Sequence, residues 1–264
     1  MNPYFPKAYR ILPALSPLIV HTRIAQITDL HLLAPGNMLM DIDVNARLQS
    51  VLDHAAENDP DAYFLTGDFC AMDPVQEIYH QLRPLLDALG KPYYITPGNH
   101  DDRGMLRNAF YLEGHNDAPI KGLVCVNNLD FLFIDSSLGV VDKEQLAWLR
   151  KAIIAYPRAA VVMHHPPVPM GVRFMDEKYP LRETEDLLRI LTSDGRRRRI
   201  FCGHFHTCRT VEHDNLQVHL CPPTSFFIKP TADNFEQVVM PPAYLLLEWT
   251  EGGDFRVVPT YVPS

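Results

Sequence analysis

The stretch "IFCGHFHTC", residues 200–208, joins an apolar segment to two histidines. A short apolar run that stops at a glycine is typical of a buried strand, and His204 and His206 follow Gly203 closely. Alternate side chains of an extended chain point to the same side, so both imidazoles are expected to face together, with Phe205 facing away. The two histidines either cap a turn at the end of the strand or hold metal, and the other segments decide between these alternatives.

Four other apolar segments stop at side chains of the same kinds. Each motif by itself is a common turn sequence. In an α/β sheet, however, the ends of the strands lie along one edge, where ligands bind. Together the segments therefore predict a metal site at that edge. The motifs are "TDLH" with Asp29 and His31, "GDF" with Asp68, "GNHDD" with Asn99 and His100, and "MHHPP" with His164 and His165.

Seven side chains from these motifs are the candidate metal ligands. Four imidazoles and three carboxylate or carboxamide groups are too many for one tetrahedral ion, but they suit two ions that share a carboxylate. The set contains no thiolate, which favours iron, manganese, zinc or cobalt. Two carboxylates leave such a centre positive, so that it attracts phosphate and acidifies a bound water. The seven residues are Asp29, His31, Asp68, Asn99, His164, His204 and His206.

Hydrophobic periodicity predicts strands that alternate with helices, followed by strands in hairpins, which indicates two sheets with helices outside them. A helix is predicted over residues 74–89, with Asp73 as its N-cap and Pro74 at its first position. We predict a single α/β domain over residues 23–264, preceded by an N-terminal extension over residues 1–22. Further helices are predicted over residues 44–57, 143–156 and 182–193, and a turn "NNLD" is predicted between two strands.

Charge and cysteine usage narrow the function and the location. The net charge of −8 disfavours a nucleic acid polymer as partner, and no apolar run is long enough for membrane insertion. Five cysteines are odd in number and form no CxxC pair, which predicts a reducing, cytoplasmic location. Prolines interrupt the first apolar residues, so no signal peptide is predicted.

In their order along the chain, the five motifs resemble D-x-H, G-D, G-N-H-D/E, H and G-H-x-H of the calcineurin-like metallophosphoesterase superfamily. They match from Asp29 to His206 without a departure. The resemblance implies a four-layer α-β-β-α sandwich, in which two mixed β-sheets lie face to face and are flanked by helices. It also implies two metal ions. Asp29, His31, Asp68 and His206 would bind one ion, and Asp68, Asn99, His164 and His204 would bind the other.

Three further segments are similar to those of class III cyclic-nucleotide phosphodiesterases and of bacterial glycerophosphodiesterases: "DIDVNARL", "FIDSS" and "MHHPPVPMG". This similarity implies a dinuclear-metal phosphodiesterase that hydrolyses a small phosphodiester, a 3',5'-cyclic nucleotide such as cAMP, by in-line attack of a metal-bound hydroxide. A glycerophosphodiesterase or broad-specificity phosphoesterase is the alternative. A third alternative, an inactive scaffold, should have lost ligand residues. Family members often form dimers, so a homodimer is expected.

Residues outside the ligand set have their own expected roles. The resemblance implies that His100 contacts the scissile phosphate or protonates the leaving group, and the alternative is a brace for a ligand residue. His165 is interpreted as structural, and Asp101 with Asp102 as the start of a helix. Residues 167–179 and 222–242 are expected to form the walls of the pocket. Within them Arg173, Phe174, Phe226, Phe227 and Lys229 either contact the substrate or serve only packing and surface solvation.

Overall fold

A computed structural model of the 264-residue chain describes residues 20–250 and 252–263. The predicted N-terminal extension, residues 1–22, therefore lies largely outside the described residues, and its last three residues belong to the first strand. The strands are β1 (Val20–Ile27), β2 (Ala62–Leu65), β3 (Tyr93–Ile95), β4 (Gly122–Val126), β5 (Leu129–Phe133), β6 (Ala160–Val162), β7 (Arg198–Cys202), β8 (Arg209–His213), β9 (Leu216–Leu220), β10 (Phe227–Ile228), β11 (Gln237–Val238), β12 (Ala243–Thr250) and β13 (Phe255–Tyr261).

The strands form two mixed sheets and a short ribbon. The first sheet has the order β13-β12-β1-β2-β3, and the second has the order β4-β5-β6-β7-β9-β8. The strands β1, β2 and β3 run parallel to one another, as do β5, β6, β7 and β9. The carboxyl ends of the parallel strands in each sheet therefore meet at one edge.

Side chains cap three of the six helices in the described part of the chain. Asp43 accepts a hydrogen bond from the Ala46 amide at the start of α1, and Asp142 accepts one from the Gln145 amide at the start of α4. Such caps satisfy amides that have no partner within the helix. The helices are α1 (Val44–Glu57), α2 (Gln76–Asp87), α3 (Arg103–Phe110), α4 (Lys143–Ala155), α5 (Arg173–Lys178) and α6 (Thr184–Thr192).

One helical prediction was wrong in detail, and one helix was not predicted. The helix α2 begins at Gln76, so Asp73 is not its N-cap and Pro74 lies before it. The amide of Val75, the residue before the helix, donates to the sulfur of Cys70 instead of continuing a helix from Pro74. The helix α5 was not predicted, because its six residues are too few to reveal a period.

Three hydrophobic cores separate four layers, which confirms the predicted sandwich. The inner core lies between the sheets, where Phe64 of β2 packs edge to face against Phe131 and Phe133 of β5. Burying one such ring contributes about 1.5–3 kcal/mol. The helices α1, α2 and α3 cover the outer face of the first sheet, and α4, α5 and α6 cover that of the second. None of the helices in the described part of the chain is long and apolar enough to cross a membrane.

Candidate metal centre

The predicted ligand residues follow the carboxyl ends of strands in both sheets. Backbone hydrogen bonds hold the loops of each sheet together, since the Asp29 amide donates to Gly67 O at 3.0 Å and the Gly203 amide donates to His164 O at 2.9 Å. The two sheets are joined at the same place, because the His204 amide donates to both carboxylate oxygens of Asp29 at 3.1 and 3.0 Å. Both sheets therefore position one site.

Six of the seven predicted ligand residues come together in two buried groups that share Asp68. In each group one nitrogen or oxygen atom per residue lies within 4.8 Å of the others, close enough for all of them to contact one ion. His31 Nε2 lies 3.6 Å from Asp68 Oδ2, and His164 Nε2 lies 3.3 Å from the same oxygen. The first group is Asp29, His31, Asp68 and His206, and the second is Asp68, His164 and His204.

The backbone at the site is left-handed, not extended as predicted. His204 has φ 69° and His206 has φ 49°, and Asp29, His31 and Asp68 also have positive φ. The Phe205 amide donates to Gly203 O at 2.8 Å, which closes a tight turn and sends the Phe205 ring into the outer core of the second sheet. Left-handed residues other than glycine cost on the order of 1–3 kcal/mol each and concentrate at functional sites. The turn directs His204 and His206 to different groups.

Each candidate imidazole ligand is oriented by a backbone carbonyl. His164 Nδ1 lies 2.7 Å from Thr66 O, His206 Nδ1 lies 2.7 Å from Phe226 O, and His204 Nε2 lies 3.0 Å from Tyr179 O. In the neutral ring, the form that binds a metal ion, the nitrogen that contacts the carbonyl carries the proton and the other nitrogen presents a lone pair to the site. The Nε2 atom of His164 is buried and, apart from Asp68 Oδ2 at 3.3 Å, has no hydrogen-bond partner among the described residues. This donor set fits divalent cations.

Burial and the two carboxylates determine the charges of the site. Burial lowers the pKa of His31 to about 4 and that of His204 to about 3. Burial also favours the neutral form of His164, but Asp68 and Asp29 outweigh it and raise the pKa of His164 to about 9. Burial and the nearby Asp68 raise the pKa of Asp29 to about 7, although His164 acts against them. The buried carboxylates repel each other, and a cation between them relieves this repulsion.

Two glycines allow the ligand loops to approach each other. A Cβ atom on Gly203 would clash with Thr28 Oγ1 and lie 2.8 Å from Asp29 Oδ2. A Cβ atom on Gly98 would clash with Asp68 Oδ1. The position of Gly203 therefore requires the absence of a side chain beside Asp29.

Asn99, the seventh predicted ligand, lies beside the buried groups. It is exposed and lines a cavity of about 500 Å³ together with His204, His165 and Tyr179. The amide of the next residue, His100, donates to Asp68 Oδ1 at 2.9 Å, which anchors this loop to the shared carboxylate. The structure places Asn99 at the mouth of the second group. His165, interpreted as structural, lines the same cavity, and its ring lies 4.0 Å from that of His204.

His100 occupies the side of the first group that opens to solvent. Its ring lies 5.0 Å from that of His31 and is partly exposed, whereas the ring of His31 is buried. His100 Nδ1 lies 2.8 Å from Met72 O, so this nitrogen donates a proton to the carbonyl. The Nε2 atom of His100 is then available to a molecule in the cleft.

Sequence reasoning missed the role of Asp101. The carboxylate of Asp101 accepts hydrogen bonds from the amides of Asp68, Phe69 and Gly98 and from the hydroxyl of Tyr79. Only Asp102 caps α3, through the Met105 amide. A helix has one N-cap residue, and Asp102 takes that position in α3. The presence of a second acidic residue, Asp101, directly before it was therefore the signal that Asp101 had another role. Asp101 joins the loops that carry Asp68 and Asn99.

Known proteins resemble this chain in sequence over most of its length. Residues 22–208 match the family model described as calcineurin-like phosphoesterase. A probable cyclic nucleotide phosphodiesterase of Fibrobacter succinogenes is 27% identical over 87% of this chain and 90% of its own length. A 3',5'-cyclic adenosine monophosphate phosphodiesterase of Pseudomonas aeruginosa is 28% identical over 87% and 86%. A glycerophosphodiester phosphodiesterase of Enterobacter lignolyticus is 30% identical over 76% and 77%.

Among solved structures, a dimetal phosphatase from Danio rerio has the same fold. It superposes with a TM-score of 0.63 over 92% of this chain and 100% of its own, at 12% sequence identity. At this identity the likeness concerns the fold alone.

Proposed function

The chain belongs to the calcineurin-like phosphoesterase family, and from that premise we propose that it is a two-metal phosphodiesterase of a small phosphodiester, a 3',5'-cyclic nucleotide such as cAMP. The observation that carries this proposal is the pair of ligand groups that share Asp68. A carboxylate that belongs to both groups suits two ions about 3.5–4 Å apart, the separation used for hydrolysis of phosphate esters.

The protein's own part in the reaction begins with the orientation of the ligands. Bound cations would supply Lewis acidity to the phosphate oxygens and would lower the pKa of the water that serves as the nucleophile. Carbonyl contacts hold the imidazole rings in place before any ligand arrives, so little reorganisation accompanies binding. Asp29, His31, Asp68 and His206 would hold one cation, and Asp68, Asn99, His164 and His204 would hold the other.

His100 is the proposed general acid. A protonated His100 keeps one N–H on Met72 O and presents the other, on Nε2, to the leaving oxygen of the substrate. The partial exposure of the ring allows it to regain its proton from solvent after each turnover. The ligand histidines are buried and lack this access.

The relatives support two kinds of diester. The cyclic nucleotide phosphodiesterases of Fibrobacter succinogenes and Pseudomonas aeruginosa both match over 87% of this chain, which favours a cyclic nucleotide. A glycerophosphodiester or a broader set of phosphoesters is the second candidate, because the Enterobacter lignolyticus relative is 30% identical. We also propose a cytoplasmic location, which the five free cysteine thiols support.

A panel of four substrates tests the proposal. Protein reconstituted with iron, manganese, zinc or cobalt is assayed on cAMP, glycerophosphoethanolamine, bis(p-nitrophenyl) phosphate and p-nitrophenyl phosphate. We expect hydrolysis of the diesters, with cAMP preferred. Hydrolysis of the monoester alone would reject a diesterase, and failure on all four substrates with two ions bound would favour an inactive scaffold.

A further inference from the structure

Four aromatic rings form a continuous row beside the two ligand groups. The row begins at Phe226, whose ring centroid lies 4.2 Å from that of His206 and 5.4 Å from that of His31. It continues from Phe226 to Phe235 at 6.0 Å, from Phe235 to Phe174 at 6.3 Å, and from Phe174 to Tyr179 at 5.5 Å. We call Phe174, Tyr179, Phe226 and Phe235 the aromatic rim.

Both ends of the aromatic rim are attached to the ligand groups. Phe226 O accepts a hydrogen bond from His206, a member of the first group, and Tyr179 O accepts one from His204, a member of the second. The positions of the rim residues and of the ligand imidazoles are therefore coupled through the backbone. A molecule on the rim lies within reach of the reacting centre.

The outer rings of the rim are exposed although they are large and partly apolar. Phe235 is 47% exposed and Tyr179 is 52% exposed, whereas Phe226 beneath them is buried and Phe174 packs on the outer core of the second sheet. Buried and half-buried neighbours already hold the exposed rings in place. A molecule that stacks on these rings therefore immobilises few additional side chains, so binding loses little conformational entropy. Exposed aromatic rings beside a cleft are typical of a binding surface.

The cavity beside Tyr179 has the size for a nucleotide. Its volume of about 500 Å³ lies within the range of small-molecule sites. Asn99 and His204 line it together with Arg182, so a cationic side chain and candidate metal ligands lie beside an aromatic ring. Lys178 and Glu177 also line it and pair with each other at 2.7 Å. A phosphate at the ligand groups and a flat ring stacked on Tyr179, the rim residue that lines this cavity, match this arrangement.

We propose that the aromatic rim is the nucleobase subsite, and that Tyr179 and Phe235 are specificity-determining residues that stack on the base and favour cyclic nucleotides over glycerophosphodiesters. This inference rests on the proposed function and names its substrate class. Stacking tolerates every base, because each has a π-face. The rim therefore selects a nucleotide without selecting adenine over guanine.

Two leucine variants, Tyr179→Leu and Phe235→Leu, test the rim. Each keeps an apolar side chain of similar reach and removes the π-face. For each variant we expect the ratio of kcat/KM on cAMP to kcat/KM on glycerophosphoethanolamine to fall about tenfold or more, through a higher KM for cAMP. Tyr179→Phe keeps the ring and should therefore keep the ratio of the unaltered protein. Tyr111→Leu, at a ring that is 76% exposed and packs under Arg83 instead, is the matched control and should leave the ratio unchanged.

The outcomes separate this inference from the proposed function. An equal loss on both substrates, or no loss on either, overturns the rim as base subsite while the diesterase stands. Hydrolysis of glycerophosphoethanolamine without hydrolysis of cAMP by the unaltered protein also overturns it. If the unaltered protein hydrolyses neither diester, the proposed function fails, and equilibrium dialysis with cAMP then tests the rim. Binding that Tyr179→Leu weakens about tenfold supports it, and absence of binding rejects it.

Discussion

The Nε2 atoms of His31 and His206 lie 3.0 Å apart, and the Nδ1 atom of each ring faces a backbone carbonyl oxygen. The proton on each ring is therefore on Nδ1, and two lone pairs face each other in a buried site. Burial lowers the pKa of His31 to about 4 and that of His206 well below its usual range, so both rings are neutral at pH 7. A cation that accepts both lone pairs relieves their repulsion.

The sharing of Asp68 predicts the metal content of two variants. Asp68→Asn removes the charge and one ligand oxygen from both groups, so we expect a fall from about two bound ions to fewer than one. His31→Gln alters the first group alone and should retain about one ion. Metal content is measured by mass spectrometry after reconstitution and desalting. His115→Gln, at an exposed histidine distant from the site in the sequence, is the control and should keep both ions. Two ions in Asp68→Asn would contradict the shared role.

Asn99 is predicted to complete the second group although it is exposed at its mouth. Asn99→Ala should weaken binding of the second ion and lower kcat about tenfold or more, with the first ion retained. The test is a metal titration together with turnover of bis(p-nitrophenyl) phosphate. Asn108→Ala, on the exposed surface of α3, is the matched control. Unchanged ion content and rate in Asn99→Ala would remove Asn99 from the ligand set.

Asp101 and Asp102 are adjacent but should respond differently to the same substitution. In Asp101→Asn one amide oxygen replaces a carboxylate that accepts from three backbone amides and Tyr79, and the new NH2 group faces donors. We expect metal affinity to fall about 10- to 100-fold. Asp102→Asn keeps a good N-cap and should change stability by less than about 0.5 kcal/mol. Equal effects in metal titration and thermal unfolding would show that Asp101 does not position the loops.

His219, between the sheets and away from the candidate ligands, should make the fold sensitive to acid. Burial, followed by Arg199 and Arg197, lowers the pKa of His219 from 6.5 to about 4. The unfolded chain then binds more protons than the folded one between these values, so the stabilising contribution is complete above pH 6.5 and is lost as the pH falls towards 4.

The variant His219→Gln tests this dependence, because it cannot titrate. Between pH 7 and pH 5 its free energy of unfolding should fall by about 2 kcal/mol less than that of the unaltered protein. Urea unfolding at both pH values measures the difference. His213→Gln, at an exposed histidine on β8, should behave like the unaltered protein. Identical pH dependence in His219→Gln would show that His219 is not the responsible group.

Local features of the sequence predicted much of the fold and of the site. The start of α1 at Val44, with Asp43 as its cap, and two sheets with helices outside them follow from periodicity. The four-layer sandwich was implied by the resemblance that the order of the motifs carries. The hairpin between β4 and β5 was also predicted, and Asn127 and Asn128 adopt the positive φ values that a two-residue turn requires. These features depend on residues a few positions apart, which a single sequence displays.

The order of the motifs along the chain, together with their residue types, also determined which side chains could serve as metal ligands. An apolar strand that ends in histidine, aspartate or asparagine can be read directly from the sequence, and six of the seven predicted ligand residues meet in two groups. The left-handed backbone that directs His204 and His206 to different groups could not be predicted in this way. Hydrogen bonds to Asp29 and Phe226, which are distant in the sequence, stabilise it against local preference.

Only the tertiary structure decided which residues surround the reacting centre. Residues 167–179 and 222–242 were expected to form the walls of the pocket, and the four rings of the aromatic rim lie within these ranges. Nothing in the local sequence indicates which side chains of the two segments meet. Asp101 likewise acquires its role through donors on three separate segments. Periodicity and capping act within a few residues, whereas these contacts arise when two sheets and their loops pack together and fix distances between distant parts of the chain.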